Sequence, residues 1–201
     1  LRKRLAHWVN MTITYTNRKG QTYYLHERKD DFGRTRYHFS LSSSGGLATA
    51  VPEGYEIYEH PNGQVFCRRK KKLTITAEEV AAIVNGIQDY SDIDSFIVDV
   101  RKNKIIVYTA DSSVDDLAEF LFGTSPEKKE NYRQRLSNLL NHDPVMRFVL
   151  VDKKSRRFHV QRYCYLGSID DWIDLSPSGT LDELAREFLP HLGKDSFYDL
   201  Y

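Results

Sequence analysis

Basic side chains set among tyrosines are the residues of this chain best suited to chemistry. Arg18, Lys19, Arg34, Arg36, Arg68, Arg69 and Lys71 fall in the same stretch as Tyr23, Tyr24, Tyr37 and Phe39. Guanidinium and ammonium groups neutralise phosphates, and aromatic faces on a sheet stack unpaired bases. Nucleic-acid contact through Arg18, Lys19, Tyr24, Arg34, Arg36, Tyr37, Arg68, Arg69 and Lys71 is therefore the first expectation. Two alternatives stand beside it. The same residues can dock a protein, or the tyrosines can fill a small sheet whose edges the basic residues keep soluble.

The strong signatures of catalysis are absent. The chain has no Gly-x-x-x-x-Gly-Lys-Ser/Thr loop, no Gly-x-Gly-x-x-Gly, no Gly-x-Ser-x-Gly and no His-Glu-x-x-His. His26-Glu27 begins the last of these, but Asp30 stands where the second histidine belongs, in a β-rich setting without the helix that aligns two ligands. Asp152-Lys153-Lys154 after the apolar run Phe148 to Val151 has the acidic-x-lysine form of metal-dependent nucleases. It also has the composition of a hairpin turn, and its nearest upstream acid, Asp143, is followed at once by Pro144. His142, His159 and His191 stand singly, with no nucleophile at a readable spacing. Asp170, Asp171 and Asp174 surround Trp172, where a cation site competes with a helix cap at Ser168-Ile169-Asp170-Asp171; the cap is the expectation. Cys67 and Cys164 lack both a disulfide framework and zinc spacing, so reduced thiols and no cofactor are expected. The favoured function class is a non-enzymatic binding or adaptor protein with a nucleic-acid or protein partner, and a metal-dependent nuclease acting through Asp152 and Lys154 is the remaining alternative.

Charge is unevenly distributed. Residues 1–72 carry 14 Lys+Arg against 6 Asp+Glu, a net of +8, and residues 73–201 carry 15 against 22, a net of −7. The two parts should attract each other or different partners. Apolar runs such as Phe148 to Val151 are far short of the ~18 residues a bilayer-spanning helix needs, so no membrane association and a cytoplasmic location are expected. Residue 1 is Leu, whereas Met11 opens a strand-like run, so residues 1–10 read as a flexible extension outside the fold.

The elements that must position these residues follow from the pattern. Thr12 to Tyr15, Thr22 to Leu25, Thr35 to Ser40, Tyr55 to Tyr58 and Gln64 to Arg68 are β-branched and aromatic runs separated by turns at Asn17 to Gly20, Asp31 to Gly33 and Pro61 to Gly63. Residues 11–72 therefore read as a basic antiparallel β module of about five short strands, with Arg68 to Lys72 as the linker. Residues 73–201 read as an acidic α+β domain. Thr76-Ala77-Glu78-Glu79 is a capping box, followed by Val80, Ile83, Val84 and Ile87 at helical spacing. A hairpin, Phe96 to Val100 and Ile105 to Tyr108, leads to a helix capped at Ser113 with a stripe of Val114, Leu117, Ala118 and Leu121. The order then repeats: a helix opened by Ser125-Pro126, with Tyr132, Leu136, Leu139 and Leu140 on one face and stopped by Asp143-Pro144; a hairpin, Met146 to Val151 and Arg157 to Tyr163; and a helix capped by Thr180 with Leu181, Leu184, Ala185 and Phe188. A duplicated αββα domain is expected, with units 76–123 and 125–193, antiparallel hairpins, helices on one face and a pseudo-twofold axis with a cleft between the halves.

Val51-Pro52-Glu53-Gly54-Tyr55 followed by Pro61 to Phe66 resembles the first hairpin of a WW domain, with Tyr55 in place of the first Trp and without the second Trp or the closing Pro. More broadly, Tyr15 to Gly20, the Pro52-Glu53-Gly54-Tyr55-Glu56 stretch and the segment Leu189 to Phe197 are similar to a family of uncharacterised bacterial proteins. That resemblance implies a shared architecture over most of the chain and no activity.

Overall fold

A computed structural model of the chain describes residues 12–123, 126–166 and 169–200. The expected extension 1–10, the Ser125 cap and Ser168 lie outside the described residues. The fold is mixed α+β with antiparallel sheets. It divides into two compact units, Leu1–Lys70 and Lys71–Tyr201, a division that falls within the basic run Arg68 to Lys72.

In the first unit, β1 (Thr14–Thr16), β2 (Thr22–Lys29) and β3 (Thr35–Ser40) form one antiparallel sheet, and β4 (Tyr55–Glu59) and β5 (Val65–Arg69) form a separate hairpin. The single five-stranded sheet expected from the sequence is thus two sheets. Strand β2 pairs with β3 from Tyr24 to Lys29. On its other side β1 pairs Thr22 to Tyr24, and residues 46–48 take over where β1 ends. Glu27 N–H donates to the Gly46 carbonyl at 2.8 Å, and Ala48 N–H donates to the Leu25 carbonyl at 2.8 Å. Gly46 is required there, because a Cβ would lie 2.6 Å from the Glu27 carbonyl oxygen. The hairpin is tied to the sheet through polar groups. Tyr15 OH and the Arg18 N–H both donate to the Glu59 carboxylate at 2.9 Å, and Asn17 Nδ2 donates to the Gly63 carbonyl at 2.7 Å.

The second unit is built on a sheet of order β10-β9-β8-β7-β6, with β11 (Gly179–Thr180) also on β9. Its strands are β6 (Phe96–Arg101), β7 (Lys104–Ala110), β8 (His142–Asp152), β9 (Arg157–Leu166) and β10 (Ile169–Asp174). One face carries Ile105, Val107, Met146, Phe148, Phe158 and Val160, buried under α1 (Ala77–Tyr90) and α4 (Leu181–Phe188). Both helices start with the capping boxes read from the sequence, at Thr76 with Glu79 and at Thr180 with Glu183.

Several expectations are corrected. Asp143-Pro144 does not stop a helix: α3 (Pro126–Leu139) ends earlier, and both residues lie in β8. Trp172 belongs to strand β10, paired with Tyr163, instead of following a helix cap. In α2 (Val114–Phe122), Val114 and Ala118 are buried but Leu121 is exposed; in α3, Leu136 is buried but Tyr132 and Leu139 are exposed. These two helices pack on each other around Val114, Ala118, Leu136 and Leu140, away from the α1/α4 layer. The topology also differs from a pseudo-twofold. A twofold that maps β6 onto β8 and β7 onto β9 cannot place the β7·β8 pair inside the sheet, and that pair joins the two halves in one continuous sheet.

Candidate nucleic-acid interface

The register of β2 and β3 decides which basic residues meet. Arg28 lies directly opposite Arg36, and His26 opposite His38. The ladder continues into the turn, where Asp30 N–H donates to the Arg34 carbonyl at 2.9 Å. Alternation along a strand places Tyr24, His26, Arg28 and Asp30 on one face with Arg34, Arg36 and His38. That face holds three arginines against one aspartate. Arg28, Asp30, Arg36 and His38, with Tyr37 between the last two in the strand, line a depression of about 530 Å³.

Asp30 organises the arginines more than it neutralises them. Its Oδ1 accepts the N–H groups of Phe32 and Arg34, and its Oδ2 accepts Arg36 Nε at 2.9 Å. These bonds, the Arg34 amide first, hold its carboxyl below the usual range. Arg34 lies 5.8 Å from the centroid of Phe32, a ring that is 83% exposed at the tip of the hairpin. His26 is buried and bonded through Nε2 to the Ser42 carbonyl, and its ring stacks on His38 at 5.3 Å. Partial burial, then His26, then Arg28 push the His38 imidazole below its ordinary value.

Other sequence candidates sit elsewhere. Tyr37 points to the opposite face, its ring 5.9 Å from Tyr55. Burial lowers the Arg18 guanidinium, opposed by Glu59, and the Lys19 stem packs on Gly63. Arg68 is paired with Glu56 at 2.8 Å and lies 3.5 Å over Tyr58; Arg69 lies 5.8 Å over Tyr55. Lys71 is exposed at the start of the second unit. Of the candidates read from the sequence, Tyr24, Arg34 and Arg36 therefore share the face. Arg28 and His38 were not among them. The signal was available: a three-residue turn from Asp30 to Arg34 puts Arg28 across from Arg36.

His142, Asp152 and His191 of the second unit are engaged structurally. Leu140 O can only accept, so His142 Nδ1 donates to it at 3.2 Å, while Nε2 meets Ser95 Oγ at 3.1 Å and Ser95 meets Ser137 at 3.0 Å. His142 and Ser95 are both buried, so this chain of bonds ties the residue just before β6 to α3 and β8. Asp152 caps its own turn, accepting Lys154 N–H at 2.8 Å and Ser155 Oγ at 2.6 Å. His191 Nδ1 and Ser196 Oγ lie 2.9 Å apart. Cys67 and Cys164 are free thiols, and burial pushes Cys67 up. Among the described residues, no group of three or more His, Cys, Asp or Glu side chains is placed to hold a metal ion, and no helix is long and apolar enough to cross a membrane.

Comparison with protein families, curated proteins and solved structures finds no match for this chain.

Proposed function

We propose that the first unit binds single-stranded nucleic acid without catalysis, through the β2–β3 face bearing Arg28, Arg34, Arg36 and His38. The supporting observation is the Arg28/Arg36 pair. Like charges directly opposite each other on a sheet are destabilising, and here both are on the surface with Asp30 bonded to only one of them. A phosphate resting between them removes that repulsion. Same-face residues recur about every 6.7 Å along a strand, a step suited to successive phosphates of an extended single strand. Phe32 at the tip and Tyr24 further along supply flat surfaces for bases.

The test is anisotropy of a labelled oligothymidylate with the full chain across a salt series. Three neutralised phosphates give a log–log slope of about −2, or roughly a fifteenfold loss of affinity between 50 and 200 mM salt. Absence of binding at the low-salt end, or a flat salt profile, overturns the reading.

Docking onto a protein has one observation in its favour. On the outer face of the β4–β5 hairpin, Phe66 stacks on Tyr58 at 6.3 Å and remains 47% exposed. Aromatic and Arg side chains are the types enriched at protein interfaces. On this second reading the hairpin, with Arg68 over Tyr58, is the contact surface, and the β2–β3 face carries no ligand.

A further inference from the structure

The sheet of the second unit splits at one end. The β8·β9 ladder runs from Asp152↔Arg157 to Met146↔Arg162 and stops. Beyond that point β8 stays with β7, through Pro144↔Tyr108 and Asp143↔Thr109. Strand β9 stays with β10, through Tyr163↔Trp172 and Tyr165↔Asp170. The cause is local. Met146 pairs with Val107 and Pro144 with Tyr108, so Val145 is an extra residue in β8. A bulge bends the strand that carries it, and Pro144 has no N–H to give to a ladder.

A cavity of about 840 Å³ occupies the gap. Its walls are the two strand edges that have separated, residues 143–145 and 163–165. Its inner end is closed by Arg162, whose buried guanidinium is turned to the tail, donating to the carbonyls of Leu200 at 3.0 Å and Tyr198 at 3.3 Å. Its rim is acidic and aromatic. Asp111, Asp143 and Asp170 are exposed, Tyr163 OH donates to Asp170, and Tyr165 and Tyr198 are 80% and 70% exposed.

We propose that this notch is a docking site for an extended peptide segment bearing Lys or Arg, which enters between β8 and β9 as a short added strand. Separated strand edges offer main-chain donors and acceptors to an incoming chain. The three aspartates select positive side chains and fix the register. Tyr165 and Tyr198 give the aliphatic stems of those side chains an apolar surface. The site lies in the second unit and is independent of the nucleic-acid reading.

The experiment is anisotropy of a fluorescein-labelled, end-capped heptapeptide of alternating lysine and valine with the full chain. The expected result is saturable binding that falls at least tenfold with Asp143→Asn plus Asp170→Asn and at least tenfold when the peptide backbone is N-methylated at alternate residues. Tyr198→Ser weakens it as well, and Phe120→Ala, at an exposed ring of α2, leaves it unchanged. Both aspartates and Tyr198 are exposed, and an unchanged thermal melt shows that the variants are folded. Three results overturn the proposal: no saturable binding, equal binding of the aspartate–valine counterpart, or binding insensitive to N-methylation.

Discussion

Arg28→Glu is expected to abolish most nucleic-acid binding while leaving the protein at least as stable. In the native chain Arg28 faces Arg36 across the β2–β3 ladder. Putting a carboxylate there replaces a like-charge pair with an opposite one, a change of about 0.2–1 kcal/mol in favour of the fold. The effect on binding runs the other way and is larger. A charge-assisted hydrogen bond to phosphate contributes about 1.5–3 kcal/mol, so losing one and adding a repelling charge costs roughly a hundredfold in affinity, at about 1.4 kcal/mol per tenfold. Lys153→Glu makes the same change of charge in an exposed turn of the second unit and is expected to change affinity less than threefold. The comparison separates a localised site from attraction to overall charge. Equal losses from the two variants, measured by anisotropy at one salt concentration, would mean that the β2–β3 face has no special role.

Phe148→Ala is expected to destabilise the second unit by about 3–5 kcal/mol. Phe148 is completely buried at the middle of β8, between Ile105 of β7 and Val160 of β9 and within the core that α1 and α4 cover. Removing its ring leaves a void that close-packed neighbours fill only in part. That loss is a large share of the roughly 5–15 kcal/mol by which a domain is stable. Phe120→Ala, at a ring 85% exposed on α2, should cost less than about 0.5 kcal/mol. Urea unfolding followed by circular dichroism checks both. A midpoint for Phe148→Ala close to that of the unsubstituted chain contradicts the placement of β8 at the heart of the sheet.

Local features were readable from the sequence and distant pairings were not. The boxes at Thr76/Glu79 and Thr180/Glu183 depend on residues three apart, and the Leu181, Leu184, Ala185 and Phe188 stripe depends on one helix, so both emerge from spacing alone. The matching stripe at Val114 to Leu121 looked equivalent but buries less, because what covers a helix is set by its tertiary neighbours. Asp143-Pro144 reads as a helix stop because proline cannot continue a helix. The same missing N–H is tolerated in β8, where the ladder to β9 has already ended. Ser168 to Asp171 has the letters of a cap, yet Trp172 is drawn into a strand by pairing with Tyr163 and by Arg147, whose guanidinium lies 4.2 Å over its ring. At the candidate site, the sequence pointed to Arg34 and Arg36. Arg28, the arginine opposite Arg36, depends on strand register, which fixes every face of a hairpin at once.

A phosphate bound on the proposed β2–β3 face would be reported directly by the His38 imidazole. In the free protein its pKa lies below the ordinary histidine value, held down by partial burial, His26 and Arg28. A phosphate beside it favours the protonated ring, so by linkage the pKa must rise on binding and affinity must increase as pH falls through it. The measurement is an NMR titration of the His38 ring in the full chain, with and without a saturating oligothymidylate. An upward shift of at least half a unit on binding is expected, about 0.7 kcal/mol at 1.36 kcal/mol per unit. An unchanged His38 curve in the presence of bound oligonucleotide would place the nucleic acid elsewhere on the protein and contradict the proposed site.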